Sequence, residues 1–274
     1  MTAIRFAKLC YLLIATLAFA RGLQAAEASD ALLLKMLGAR DALSYRATVV
    51  YLQGNSLRTV RIEQDLAGRR MHALDGLQAM SELPTVNSGW VSQSDPERLR
   101  VALLNSYQAE PGEPERIAER SARPVQFVPR DEWRYGYRVW LDEATGMPLR
   151  TELMAKQLVL ERMLVTQIEL NSGKPRSLPQ TVVRPVFEIQ QLPSGFVLVG
   201  LSRGETLIQQ SYSDGLASVS VFIRSARGSA VGTGQRGAMA LAAKRIGDKE
   251  FIALGDVPAP TLARFLTGIV PSAR

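Results

Sequence analysis

From Tyr45 onward the chain is written in short runs where apolar and polar residues alternate, and that period of two constrains the fold most. Tyr45, Ala47, Val49 and Tyr51 alternate with Arg46, Thr48 and Val50, so one face of the run meets a core and the other meets solvent. Gly54-Asn55 is a turn signal, Leu57 to Gln64 reads as the return strand, and Ala67-Gly68 leads into Arg70 to Leu74. Further strands are predicted over Val125 to Val128, Tyr135 to Leu141, Leu149 to Met154 and Leu158 to Leu170, with Thr145-Gly146 as a tight turn. Helix signals are fewer. Ser29 and Asp30 precede a run of helix formers that should reach about Leu43, and Asp95-Pro96-Glu97 opens a second helix to about Tyr107. Pro111 to Pro114 then breaks the chain.

The segment 171–185 changes character, with Pro175, Pro179, Pro185 and Gly173 and few aliphatics. It reads as a semi-rigid linker. Beyond it come short strands at Val186 to Leu192, Phe196 to Leu201, Thr206 to Tyr212, Ala217 to Arg224 and Phe251 to Val257, then a helix over Thr261 to Ile269. A chain of 274 residues has room for two domains. The expected fold class is α+β, with a larger domain at 29–170, a smaller one at 186–274, and mainly antiparallel sheets in both.

The first residues read as an export signal over 1–28. Arg5 and Lys8 precede an apolar run from Leu9 to Ala20, with cleavage expected after Ala25 or Ala28. A span needs about 20 apolar residues, and this run is shorter. Cys10, the only cysteine, lies at the start of the run, where it cannot serve as a lipoprotein anchor. Cleavage would leave a mature chain without thiols, as suits an oxidising compartment, and the expected location is periplasmic. The formal charge of +7 includes Arg5, Lys8 and Arg21 of this leader. No Lys/Arg run with interleaved aromatics follows, so a nucleic-acid partner is not expected.

The chemical motifs are weak. Gly232-Thr233-Gly234-Gln235-Arg236-Gly237 has the spacing of a dinucleotide fingerprint, and Ala238 to Arg245 would permit a helix after it. Arg227 to Ala230 is no buried strand, however, so the glycines read as a flexible loop between strands. His72 is the only histidine. With one histidine and one cysteine there is no zinc cluster, and no G-x-S-x-G elbow supplies a nucleophile for His72. The acid pairs Asp131/Glu132, Asp142/Glu143 and Glu113/Glu115 lie at turns or strand ends beside basic residues and read as solvated caps. No catalytic residue, cofactor or metal is expected.

The aromatics are more informative. Trp133, Tyr135, Tyr137 and Trp140 cluster with Arg134 and Arg138 between them. On a strand Tyr135 and Tyr137 share one face, while Arg134, Arg138 and Trp140 take the other. Two readings stand: a core face with exposed arginines, or a binding surface of aromatic and Arg anchors.

Three stretches resemble the RseB/MucB family of periplasmic negative regulators of the envelope-stress sigma factor. They are WRYGYRVWLDEATGMPLRTEL at 133–153, YSDGLASVSVFI at 212–223 and GDVPAPTL at 255–262. The resemblance implies an N-terminal domain like the lipoprotein carriers LolA and LolB, a half-open antiparallel β-barrel with helices. It also implies a smaller C-terminal domain that binds the periplasmic segment of an RseA/MucA-like anti-sigma factor. Binding would shield that segment from site-one proteolysis, and lipopolysaccharide or another acyl-chain ligand would release it. The family brings no catalytic residue, and it leaves room for a homo-oligomer. The candidate partner or ligand surface is Arg134, Tyr135, Tyr137, Arg138 and Trp140, joined by Tyr212 and Asp214 of the second stretch. One departure is the loop at 77–88, which has no basic residue and does not follow the family pattern. The rival readings are a lipoprotein or lipid carrier of the LolA type, for which the second domain would be superfluous, and a periplasmic hydrolase, for which no nucleophile is in place.

Overall fold

The computed structural model describes residues 30–39, 43–65, 68–74, 95–171, 184–226 and 232–270. The leader, the body of the 171–185 linker and the 77–88 loop lie outside them. Helix α1 spans 30–39 and buries Leu32, Leu33, Met36 and Leu37 on one face. Three strands follow, β1 (Tyr45–Gln53), β2 (Ser56–Asp65) and β3 (Gly68–Ala73). They form the expected meander. Val49 pairs with Val60, and Tyr45, Ala47, Val49, Val60 and Ile62 all face one core.

Helix α2 (Pro96–Ser106) starts where Asp95 predicts it. The Asp95 carboxylate accepts from the Glu97 amide at 3.0 Å, and Pro96 occupies the first turn. Strands β4 (Tyr107–Pro111), β5 (Glu115–Ile117), β6 (Arg120–Pro129), β7 (Gly136–Asp142), β8 (Pro148–Ala155) and β9 (Leu158–Leu170) complete the first sheet. Its order is β3-β2-β1-β9-β8-β7-β6-β4, with β5 also on β6. All pairs are antiparallel. Among the described residues the edge strands β3 and β4 do not pair, so the sheet is open and not a closed barrel. The β7–β8 turn rests against α1: Gly146 has φ of 75°, and a Cβ there would lie 2.5 Å from Lys35 Cβ.

The second half is a six-stranded antiparallel sheet, ordered β11 (Val197–Arg203), β12 (Ile208–Ser213), β13 (Ser218–Ser225), β16 (Lys249–Gly255), β15 (Met239–Ile246) and β14 (Gly232–Arg236). Helix α3 (Ala259–Thr267) lies on it and buries Thr261, Leu262, Phe265 and Leu266. A two-residue pair, β10 (Glu188–Ile189) with β17 (Ile269–Val270), closes the end of the domain.

The reading of the glycine-rich segment is corrected here: it is not a loop but the exposed edge strand β14, and Ala238 to Arg245, which a fingerprint would have needed as a helix, falls almost wholly within β15. Gly and Ala carry little strand preference by themselves. The pairing with β16 and the cover of α3 over Ala240 and Ala242 decide the outcome. The strand expected over Val186 to Leu192 shrinks to Glu188–Ile189. His72 lies exposed on β3, opposite Arg61.

Candidate functional site at the domain seam

The two halves share a core. Val199, Leu216 and Ala238 of the second half are buried with Leu99 and Leu103 of α2 and with Tyr107, Phe127, Tyr135 and Tyr137 of the first sheet. The close fit depends on two glycine turns. Gly215 (φ 101°) would carry its Cβ 3.1 Å from Leu103 Cβ, and a Cβ on Gly195 (φ 84°) would overlap the Ser106 hydroxyl. Only residues that tolerate left-handed backbone and bring no side chain let these turns meet α2 so closely.

Polar groups fasten this seam at two points. At the first, Arg134 has a side chain with no solvent exposure. Its Nε and Nη2 grip Asp131 at 2.9 and 3.0 Å, its Nη1 donates to Asp214 Oδ2 at 2.6 Å, and Nη2 also donates to the Ser194 carbonyl at 2.5 Å. The guanidinium lies 5.6 Å from the Tyr107 ring centre and 5.1 Å from that of Phe196. Asp214 Oδ2 also accepts from the Tyr107 hydroxyl at 3.2 Å. Its Oδ1 takes the Leu216 and Ala217 amides, forming the β12–β13 turn. Burial raises the Asp214 carboxyl above its ordinary range, and Arg134 together with the two amides opposes the rise without cancelling it.

At the second point Tyr137 donates to Asp256 Oδ2 at 3.0 Å, while Asp256 Oδ1 accepts from the Ser218 amide at 2.8 Å and its hydroxyl at 3.2 Å. Burial pushes the Asp256 carboxyl up to about 6. Burial first, then the adjacent carboxylates, hold Tyr107 and Tyr137 well above the usual phenol range. Both hydroxyls therefore stay protonated and act as donors. Around these points Thr261 donates to the Trp133 carbonyl at 2.8 Å, Arg264 covers the Trp133 ring at 4.7 Å, and Gln235 donates to the Tyr135 hydroxyl at 3.1 Å.

The structure thus divides the candidate residues. Arg134, Tyr135, Tyr137 and Asp214 meet at the seam, so Arg134 is not on an open surface as either sequence reading would have it. Tyr212 points into the core of the second domain, its ring centre 5.5 Å from that of Phe265 and its hydroxyl accepting from Gln210. Arg138 and Trp140 lie on the opposite face of β7. There Arg150 stands 4.2 Å over the Trp140 ring, whose Nε1 donates to Glu115, and Arg150 and Arg162 bond the buried carboxylate of Glu152. Sequence reading missed Tyr107, Asp131 as a seam ligand, and Asp256. The last lies inside GDVPAPTL, so the three stretches that carried the resemblance are the three that meet here.

Among the described residues no group of three or more His, Cys, Asp or Glu could hold a metal ion. The seam groups hydrogen-bond across the two halves, and what this arrangement can do is set the relation of two domains.

Family comparisons agree with this two-part organisation. The MucB/RseB N-terminal domain matches residues 85–190 and the MucB/RseB C-terminal domain matches residues 183–270. The sigma factor AlgU regulatory protein MucB of Pseudomonas aeruginosa is 29% identical over 306 residues, covering 96% of each chain. The sigma-E factor regulatory protein RseB of Haemophilus influenzae is 25% identical, covering 93% of this chain and 94% of its own. Among solved structures, MucB in complex with MucA(peri) is 27% identical with a TM-score of 0.64, covering 90% of this chain and all of that one. MucB alone gives 25% and 0.66, over 89% and 98%. The chain belongs to the MucB/RseB family.

Proposed function

We propose that this chain is a periplasmic negative regulator of an envelope-stress sigma factor. It binds the periplasmic segment of a membrane-anchored anti-sigma factor and shields that segment from the site-one protease. The observation that carries this reading is the likeness, along the full length of the solved relative, to MucB bound to MucA(peri). Shielding requires only mass action, since the segment is cut in proportion to its free fraction.

The finer parts of the proposal rest on the family resemblance: a LolA-like first domain, and release by lipopolysaccharide or another acyl-chain ligand. Two mutually exclusive ligands need a reciprocal coupling of a few kcal/mol, and a two-domain body with a polar seam is a physical means of supplying it. No helix among the described residues is long and apolar enough to cross a membrane. The protein acts as a binder and not as a catalyst.

The test is capture of the chain by the immobilised periplasmic segment of its own anti-sigma factor, with and without lipopolysaccharide. Binding that the lipid abolishes is the expected result. Absence of binding together with uptake of acyl lipid or lipoprotein would move the chain to the carrier class.

A further inference from the structure

We propose that the hairpin end of the first sheet is a docking face for an anionic lipid surface. Leu57 and Leu158 are the most exposed large apolar side chains among the described residues, at 61% and 66%. They stand on neighbouring hairpins, because β1 pairs with both β2 and β9. Leu57 follows the β1–β2 turn at Gly54-Asn55, and Leu158 follows the β8–β9 turn at Lys156-Gln157. Between the hairpins runs a shallow cleft lined by Leu52, Val159 and Leu160, with Arg162 beside them.

Cations surround the two leucines. Arg58 adjoins Leu57, Lys156 lies two residues before Leu158, and Arg162 borders the cleft. Arg236 reaches the same end from the other half of the molecule. It precedes the β14–β15 turn, which is seated here: a Cβ on Gly237 would lie 2.7 Å from Gln53 Nε2, and the Ala238 amide donates to Glu161 at 3.0 Å. The nearby acids on β8 and β9 are engaged. Glu161 accepts from Gln53 and Ala238, and Glu152 accepts from Arg150 and Arg162. The end of the sheet therefore carries a surplus of positive charge.

The shape of the patch selects its occupant. Anchors in protein interfaces are enriched in Trp, Tyr and Arg, with Leu under-represented, and they sit in well-packed pockets. Here two leucines protrude from turns and cations ring them. Leucines so placed gain by leaving water for the acyl boundary of a bilayer, and each Lys or Arg beside an anionic leaflet adds attraction that salt screens. The contact goes beyond the binding function proposed above and needs no protein partner.

The test sediments the exported protein with phosphatidylglycerol vesicles and with phosphatidylcholine vesicles. Wild type should bind the anionic vesicles at least about tenfold more strongly. L57S/L158S keeps every charge and alters only exposed positions, and should lose about tenfold or more of that binding. K156A/R236A should lose about tenfold, whereas R203A/R245A removes the same charge from exposed sites elsewhere and should bind as wild type does. Equal binding to both lipids, unchanged binding in L57S/L158S, or an equal loss in R203A/R245A would each overturn the docking face. Tight uptake of monomeric dihexanoyl phosphatidylglycerol would replace it with a site for single lipids. Capture by the anti-sigma segment that falls in L57S/L158S, with vesicle binding intact, would reassign the leucines to the protein partner.

Discussion

Arg134 and Asp214 lie 80 residues apart in the chain and 2.6 Å apart in the fold, each side chain wholly shielded from solvent. Removal of Arg134 leaves the buried Asp214 carboxylate without its cation, which costs about 3–5 kcal/mol, whereas removal of Asp214 leaves Arg134 still bonded to Asp131. R134A should lower stability to urea by that order, and D214A by less. The R134A/D214A double variant should lose less than the two costs added together, because the fully buried Asp214 charge that R134A leaves uncompensated is then gone. Strict additivity in the double-mutant cycle would show that the pair is not coupled.

Ser106 ends α2 directly under the Gly195 turn, and among the described residues its buried hydroxyl finds no hydrogen-bond partner. Such a hydroxyl is desolvated without compensation. S106A should therefore stabilise the protein by about 1 kcal/mol. G195A combines a φ of 84° with a Cβ that meets the same hydroxyl, and should cost about 2 kcal/mol or more. The cost should shrink when S106A is combined with it, which thermal melts of the four proteins would establish.

Where the chain determines structure locally, the sequence was legible. The Asp95 cap, the alternation along β1, and the opposite faces of Tyr137 and Trp140 on β7 all follow from side chains within a few residues of each other. Asp131 was legible only halfway. Its turn role is local and is present, since its carboxylate accepts the Trp133 amide at 3.1 Å, but its grip on Arg134 serves a charge whose other partner is 80 residues on. Nothing near Arg134 distinguishes an exposed arginine from a buried one, because the burial comes from Ser194, Phe196 and Asp214 of the other domain. β14 and β15 were missed for the related reason that glycine and alanine become strand residues there only through β16 and α3.

The carboxylate of Glu152 presents the opposite electrostatic case to Asp256. Burial alone would raise it, but hydrogen bonds from Arg150 and Arg162 outweigh burial and hold it below the usual range. Its contribution to stability is present above the ordinary glutamate value and is lost as the pH falls below it. E152Q leaves those arginines facing a neutral amide. It should destabilise the protein near neutrality by about 2–4 kcal/mol and flatten the acid limb of the stability profile. Arg138, 40% exposed and 3.9 Å from the same carboxylate, contributes much less, and R138A should cost under about 1 kcal/mol. A loss of partner binding in R138A would therefore report on the surface itself, whereas the same loss in R134A would report on the seam.

Asp256 also fixes a sign for global stability. Its carboxyl is raised to about 6 in the fold against about 3.9 in an unfolded chain. The folded state holds the extra proton, so this contribution is fully present below about pH 4 and is lost as the pH rises through 6. The difference amounts to about 3 kcal/mol between those limits. Glu143 and Glu152 are both held low, by Ser121 and Arg123 and by their arginines, and lose their contributions only below the ordinary glutamate value. The interval from pH 5 to 7 therefore isolates the acids of the seam. Urea unfolding across it should show wild-type stability declining towards pH 7, while D256N declines less and equals or exceeds wild type at pH 7. A D256N protein that is weaker than wild type at pH 7 by as much as at pH 5 would mean that the ionised Asp256 is well solvated, and that its two Ser218 bonds and the Tyr137 bond suffice to hold the charge.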